Sequence, residues 1–413
     1  MERSIKLTID HQCPQCGAPI TLEETDRLIT CPFCRVKSYL TGQDYFCYAL
    51  PHADCGNQRL VYFPYWRFKG MLFSFTPAGI GHRFVDVSQQ AIGSLHFPVS
   101  LGLRSQALRL KFVTSEIPGL FLKPVCSVKS FLTLIDERFH FDCPKPILHQ
   151  AHIGENFSLI YAPFYIKDKV YDAVLNQPVT GQRLPDEFRL ESFDSDTPAK
   201  RIHFLASLCP QCGWDLQGER DSQVLYCPNC ASGWRPLQNQ LARLNVAHVP
   251  AATGPSRFMP FWRIKATVSG VDLATYADLI RIANLPKVIL EKWQSSEFRF
   301  WGPAFKVRPH NYLQLATGLT VAQPMGDLKP RLPEGQLHPV NLPLQEALET
   351  LKLNLANFMR PRQAAVDRIQ EIQIRPTSYL LVYLPFEERF HELVLPSINL
   401  AINKNQLALA ENL

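Results

Sequence analysis

Cys13-Pro14-Gln15-Cys16 is followed, after 14 residues, by Cys31-Pro32-Phe33-Cys34, and Cys209-Pro210-Gln211-Cys212 is followed, after another 14, by Cys227-Pro228-Asn229-Cys230. These eight of the chain's 12 cysteines decide how the rest is read. Two residues between cysteines let a tight knuckle aim both thiolates at one point. A returning hairpin then brings a second pair, completing four sulfurs at about 2.3 Å from a tetrahedral metal. Leu28-Ile29-Thr30 and Val224-Leu225-Tyr226 are short β-prone runs leading into the second pairs. Gly17 and Gly213 follow the first knuckles, where a positive φ is often needed.

Over about 30 residues, twice, the pattern resembles the zinc-ribbon (rubredoxin-like, four-cysteine) group. The resemblance implies two structural Zn2+ sites, one held by Cys13, Cys16, Cys31 and Cys34, the other by Cys209, Cys212, Cys227 and Cys230. It identifies a metal fold and carries no activity by itself. A redox CxxC would come singly at a helix start, and disulfides do not suit a cytosolic chain. Iron, which also takes four thiolates, stays open.

The two cysteine sets are related by an offset of 196, as 209 minus 13 and 230 minus 34. The same offset carries Phe63-Pro64-Tyr65-Trp66-Arg67-Phe68-Lys69 onto Met259-Pro260-Phe261-Trp262-Arg263-Ile264-Lys265. Farther on, Leu159-Ile160-Tyr161-Ala162-Pro163-Phe164 resembles Leu381-Val382-Tyr383-Leu384-Pro385-Phe386 at an offset of 222. The chain therefore reads as α+β, β-rich, with an internal duplication. Each half is a zinc ribbon, a Pro-aromatic-Trp-Arg strand and a sheet-containing body ending in a Tyr-x-Pro-Phe strand. The expected organisation is ribbon 1 at 1–45, a β-rich body at 46–185, a linker at 186–205, ribbon 2 at 206–240 and an α+β body at 241–413.

Composition agrees with several stiffly connected elements. Of 413 residues 46% are hydrophobic and 19% charged, with 33 prolines against 20 glycines, which excludes a charge-rich disordered chain, a collagen or a long coiled coil. Length alone points to two or three units. The net charge of +6 is dispersed: residues 1–206 hold 22 basic and 20 acidic side chains, the remainder 21 and 17. Ribbon 1 is neutral over residues 11–40 and ribbon 2 is −1 over 207–235, without the Lys and Arg excess that phosphate contacts demand. The opening MERSIKLTIDHQCPQC has no apolar h-region, so a cytoplasmic protein is expected. The most apolar runs, Ser158–Phe164 and Tyr379–Phe386, are far short of the ~20 residues that span a bilayer; peripheral attachment through a partner stays open.

Strands are expected over Arg59–Phe75, Ala107–Val113, Phe258–Val268 and Tyr379–Phe386, with a hairpin from Ser158–Ile166 through Lys167-Asp168-Lys169 to Val170–Leu175. Ala322–Leu344 reads as a loop. Leu344–Gln373 reads as helix broken near Pro361, and a short helix is expected in the tail. Alternation puts Trp66 and Phe68 on one strand face and Arg67 and Lys69 on the other, either as a solvated basic face or as a platform for stacking a base. Pro64 and Pro260 suit a strand start or an edge that could accept a partner strand.

Cys47, His52 and Cys55 form C-x4-H-x2-C, a fragment of a third metal site or plain thiols; with no counterpart in the second half, thiols are favoured. Cys126 and Cys143 are read as free thiols, and His82, His96, His140, His149 and His152 as surface or core residues. Glu23-Glu24 and Glu387-Glu388 read as polar turns. G-x-S-x-G, a Walker loop, HExxH and a dinucleotide fingerprint are all missing. The expectation is a non-enzymatic, zinc-binding structural or adaptor protein with a protein partner in a larger assembly. The alternative is a zinc-ribbon protein binding DNA or RNA through Arg67, Lys69, Arg263 and Lys265. A third possibility is an enzyme or electron carrier, with iron in the ribbons or a site at Cys47, His52 and Cys55.

Overall fold

The computed structural model describes residues 7–42, 45–102, 108–139, 144–196, 202–237, 239–251, 256–324 and 327–410. His140 and Cys143 lie outside the described residues. Strand accounts for 40% of the structure and helix for 19%, the α+β, β-rich class expected. Among the described residues no helix is long and apolar enough to cross a membrane.

Residues group into two compact units. The first comprises Met1–Lys69, Val85–Phe141 and Asn156–Ala206; the second comprises Gly70–Phe84, Asp142–Glu155 and Ser207–Leu413.

In the first, ribbon 1 is formed by β1 (Thr8–Gln12), β2 (Pro19–Glu23), β3 (Leu28–Thr30) and β4 (Lys37–Gly42). β1 pairs antiparallel with β2, and β3 with β4. Next come β5 (Phe46–Ala49), β6 (Val61–Thr76), β7 (Gly79–Gln90), β8 (Arg109–Phe112), β9 (Leu120–Leu122), α1 (Val128–Phe139), β10 (His149–Ile166) and β11 (Val170–Asp172). They build one sheet of order β9-β6-β10-β5-β8-β1-β2, with β11 on β10 as the expected hairpin. Residues 186–205, read above as the linker, carry Ser195–Asp196 on β9 and most of Ile202–Ala206, which pairs antiparallel with β4. The core gathers Ile9, Ile20, Leu22, Ile29 and Leu40 of the ribbon with Phe63, Tyr65, Phe112 and Ile160 of the sheet.

β6 differs from its alternation reading. Both of its faces are covered, so every residue but Lys69 and Gly70 is buried, Arg67 included. Nor is it an edge: Pro64 lies inside a strand flanked by β9 and β10, and its carbonyl accepts from Ala91 N–H at 2.9 Å. A proline that lacks only a donor fits a central strand when its carbonyl is used in this way.

In the second unit the main sheet is built on β12 (Ser256–Ser269) and β13 (Gln373–Glu388), antiparallel over their whole length apart from one bulge at Lys265/Ala266. Phe300–Pro303 flanks β12, and Glu392–Leu395 continues beyond β13. Pro260 is again mid-strand, its carbonyl accepting from Ala304 N–H at 3.1 Å. Helices at Pro309–Ala322, Leu344–Glu349, Leu351–Phe358 and Arg362–Arg368 contribute Leu315, Leu319, Leu355 and Phe358 to the core. The expected long helix is thus three short ones, interrupted at Thr350 as well as near Pro361, and the tail helix is Lys404–Ala410. The same core includes Met71, Phe73 and Phe75 from the end of β6, and Ala151 and Ile153 from the start of β10.

Pairings recur between the halves, one partner of each at offset 196 or 222 and the other at 216 or 199. β6 pairs parallel with β9 from Val61↔Leu120, and β12 with Gln336–Leu337 from Arg257↔Gln336. β5 pairs parallel with β10 through Tyr48↔Ile160, and Val246–His248 with β13 through Ala247↔Val382. Trp66 Nε1–H donates to Cys126 O at 2.7 Å, and Trp262 Nε1–H to Leu342 O at 3.2 Å.

Candidate metal centres

Both knuckles of each ribbon are set by the backbone. Cys13 N–H donates to Ala18 O and Cys209 N–H to Trp214 O, each at 2.8 Å, closing the first knuckles. Gly17 and Gly213 turn the chain at φ +72° and +73°. After the second knuckles Arg35 and Ala231 take the same left-handed region at φ +60° and +48°. The hairpins between knuckles match as well: Glu23 N–H is capped by Asp26 Oδ2, and Glu219 N–H by Ser222 Oγ, each at 2.8 Å.

The result is two compact clusters, Cys13, Cys16, Cys31 and Cys34, and Cys209, Cys212, Cys227 and Cys230, each with four Sγ atoms within 4.8 Å of one another. Sulfurs face each other across the knuckles at 3.8 Å (Cys13–Cys34), 3.7 Å (Cys16–Cys31), 3.6 Å (Cys209–Cys230) and 3.4 Å (Cys212–Cys227). Four sulfurs at 2.3 Å from a tetrahedral metal would stand about 3.8 Å apart. A disulfide needs about 2.05 Å, and all eight cysteines are free. The residues present therefore fit a four-thiolate metal. A full sulfur shell leaves no open coordination position.

Amides point at the sulfurs in both ribbons. The Cys34 and Phe33 amides favour the Cys31 thiolate and pull that thiol down to about 6. Although the Val36 amide favours the Cys34 thiolate, burial and the neighbouring sulfurs push that thiol up to about 12. In ribbon 2, burial opposes ionisation of Cys209, but the Gln211 and Cys212 amides prevail and bring it down to about 6.

Ribbon 2 has polar neighbours that the cysteine pattern does not disclose. Ser232 Oγ lies 3.0 Å from Cys230 Sγ and 3.9 Å from Cys209 Sγ, and accepts from Trp234 Nε1–H at 2.8 Å. The Asn229 side chain hydrogen-bonds Cys212. The signal in sequence was the offset itself, since positions 229 and 232 correspond to Phe33 and Val36 in ribbon 1.

Each ribbon is fixed to its body by charge. Arg67, 1% exposed, donates through Nη1 to Glu24 Oε2 at 2.5 Å and makes a fork to Asp86, Nε to Oδ1 and Nη2 to Oδ2, both at 2.9 Å. Lys69 reaches Glu24 Oε1 at 3.4 Å. Burial opposes the Glu24 charge, but Arg67 and Lys69 together hold its carboxyl below the ordinary range. Glu24 sits in the turn after β2, as expected, but is a buried anchor there, and Arg67 belongs neither to a solvated face nor to a stacking platform. In ribbon 2 Asn341 Nδ2 donates to Asp221 Oδ2 at 3.1 Å, and Lys306 pairs with Asp221 at 3.6 Å. Arg263 lies over the Trp301 ring, 5.8 Å from its centroid, and Lys265 pairs with Glu297.

Cys47, His52 and Cys55 do not assemble. Cys47 is buried in β5, His52 Nδ1 bonds Ala53 O at 2.8 Å, and Cys55 donates to Ala53 O and Ala173 O. Among the described residues the two tetracysteine groups are the ones that could hold a metal. At the knuckles two large apolar side chains face solvent, Phe33 at 66% exposure and Trp214 at 56%. No protein family, no curated protein and no solved structure matches this chain.

Proposed function

We propose that both clusters hold structural zinc and that the chain is a non-catalytic adaptor whose two ribbons present a protein-binding surface. The observation that carries the adaptor reading is one exposed ring beside a knuckle in each ribbon, Phe33 within the second knuckle of ribbon 1 and Trp214 just after the first knuckle of ribbon 2. Rigid, exposed aromatics on a metal-locked turn have the character of interface anchors. The ribbon walls lie in the hydrophobic cores, Ile20, Leu22 and Ile29 in one and Val224 in the other, so zinc there would stabilise the bodies as well as the ribbons. We read the recurrent bonds, each with one partner at offset 196 or 222, as an internal duplication. Arg67 and Lys69, required by a nucleic-acid reading, are engaged with Glu24.

The test has two stages. Elemental analysis of the purified chain should give two zinc per molecule, with one lost in Cys13→Ser or Cys209→Ser; full zinc in either variant sinks the ligand assignment. Affinity purification with and without nuclease should then retain the same proteins. Phe33→Ser and Trp214→Ser, which keep the cysteines, should release them. Retention by both variants defeats the adaptor reading, and loss of partners on nuclease treatment points to nucleic acid.

A further inference from the structure

The two clusters have the same exposure pattern, buried, exposed, buried and half-buried in chain order. Solvent access therefore does not distinguish them, whereas hydrogen bonding does. An indole N–H can only donate, so the Trp234–Ser232 bond has a fixed direction. With its oxygen accepting from Trp234, the Ser232 hydroxyl has its own proton to give, and Cys230 Sγ stands 3.0 Å away with Cys209 Sγ at 3.9 Å. Sheet register holds this in place, because Ser232 is the cross-strand partner of Cys227 and Trp234 that of Leu225. Both Ser232 and Trp234 are buried, at 3% and 6% exposure. In ribbon 1 the position of Ser232 is Val36, which offers no side-chain donor, and that of Asn229 is Phe33.

Resting on the zinc reading above, we propose that the Trp234–Ser232 relay makes the two centres chemically unequal. Ribbon 2 retains its metal under oxidative attack, and ribbon 1 is the centre that yields first. A hydrogen bond to a bound thiolate draws charge from sulfur and weakens it as a nucleophile, while holding the ligand in position. Attack by a hydroperoxide consumes two thiolates, one hydrogen peroxide and two protons. It forms one disulfide and two waters, the sulfurs losing the two electrons that the peroxide gains, and Zn2+ leaves to solvent. Spacing does not set the order, because facing sulfurs stand 3.8 and 3.7 Å apart in ribbon 1 and 3.6 and 3.4 Å apart in ribbon 2; the hydrogen bond to sulfur does.

The experiment uses the full chain with its metal content measured first. Absence of zinc would sink the zinc reading itself, before any rate is compared. Given two zinc, release to a chromogenic chelator is followed under hydrogen peroxide, and oxidised cysteines are assigned by mass spectrometry of alkylated peptides. Two phases are expected, ribbon 1 cysteines oxidising about tenfold faster than ribbon 2, the lower end of what outer ligand partners are worth. Ser232→Ala should bring ribbon 2 to the rate of ribbon 1, and Trp234→Phe should move it part of the way. Val36→Ser, which leaves ribbon 2 untouched, tests the converse in ribbon 1. Equal rates in the unmodified protein, or an unchanged ribbon 2 rate in Ser232→Ala with zinc retained, would overturn the proposal.

Discussion

Four residues turn the knuckles in left-handed backbone, and only two of them are glycine. At Gly213 a Cβ would meet nothing within 4 Å, so Gly213→Ala isolates the cost of φ +73° without a clash. That substitution should lower ribbon 2 stability by about 1 kcal/mol. Ala231, at φ +48°, already bears the strain, so Ala231→Gly should gain up to about 1 kcal/mol, less the extra entropy glycine loses on folding. Chelator competition on the folded, metal-loaded protein reads both, and equal metal retention in the two variants would contradict the backbone argument. At this scale the grouping of eight cysteines into two clusters was legible, because metal geometry demands fixed spacing. Ser232 showed only as a departure from Val36 at the offset of 196, because a hydroxyl beside a thiolate imposes no pattern of its own.

A strand shows its orientation in sequence only when one face is wet. β6 is covered on both faces, so alternation assigned Arg67 to solvent when its charge is met inside by Glu24 and Asp86. The long strands themselves were legible from their aromatic and β-branched content; the proline positions misled, since a proline carbonyl still pairs. The buried pair joins the hairpin between knuckles to the central strand, and removing one partner strands the other. Glu24→Gln should cost about 3 kcal/mol in chemical denaturation, whereas Arg67→Met with Glu24→Gln should cost less than the sum of the single changes. Additive losses would mean that the two groups do not act as a pair. Because the folded Glu24 carboxyl lies below its ordinary value, its contribution is full above the unfolded carboxylate range and is lost as pH falls through the folded value.

Across the whole molecule, acid should act earlier than the carboxylates alone require. His338, 4% exposed, accepts from Arg257 Nη2 at 3.1 Å through Nδ1, and burial and then the Arg257 charge push it down to about 3. Burial likewise takes His149 down to about 4, with Lys352 adding to it. Between these values and about 6.5 the unfolded chain binds protons that the folded chain refuses, so stability falls as pH drops through that window. For His338 the loss by pH 4.5 is on the order of 2–3 kcal/mol. His338→Asn, whose carbonyl can take the Arg257 bond, should flatten the profile below pH 6.5; an unaltered slope would remove His338 from the account. The α+β class and the offset of 196 were visible in sequence. The membership of the compact units was not, since no local signal tells a strand where its far end is buried.

β6 and β10 each contribute to both compact units, and this bears on how the chain can be cut. A fragment starting at Ser207 has every cysteine of ribbon 2 and the whole β12–β13 pair, and its start looks like a natural domain boundary. It lacks Met71, Phe73, Phe75 and Ile153, all buried in its core. At about 2 kcal/mol per large apolar side chain the loss is roughly 8 kcal/mol, against a typical net stability of about 5–15 kcal/mol. Such a fragment should give poorly dispersed amide spectra, and a peptide spanning residues 70–84 should improve them. If the halves arose by duplication, the second has come to depend on two segments borrowed from the first, residues 70–84 and 142–155, to close its own core.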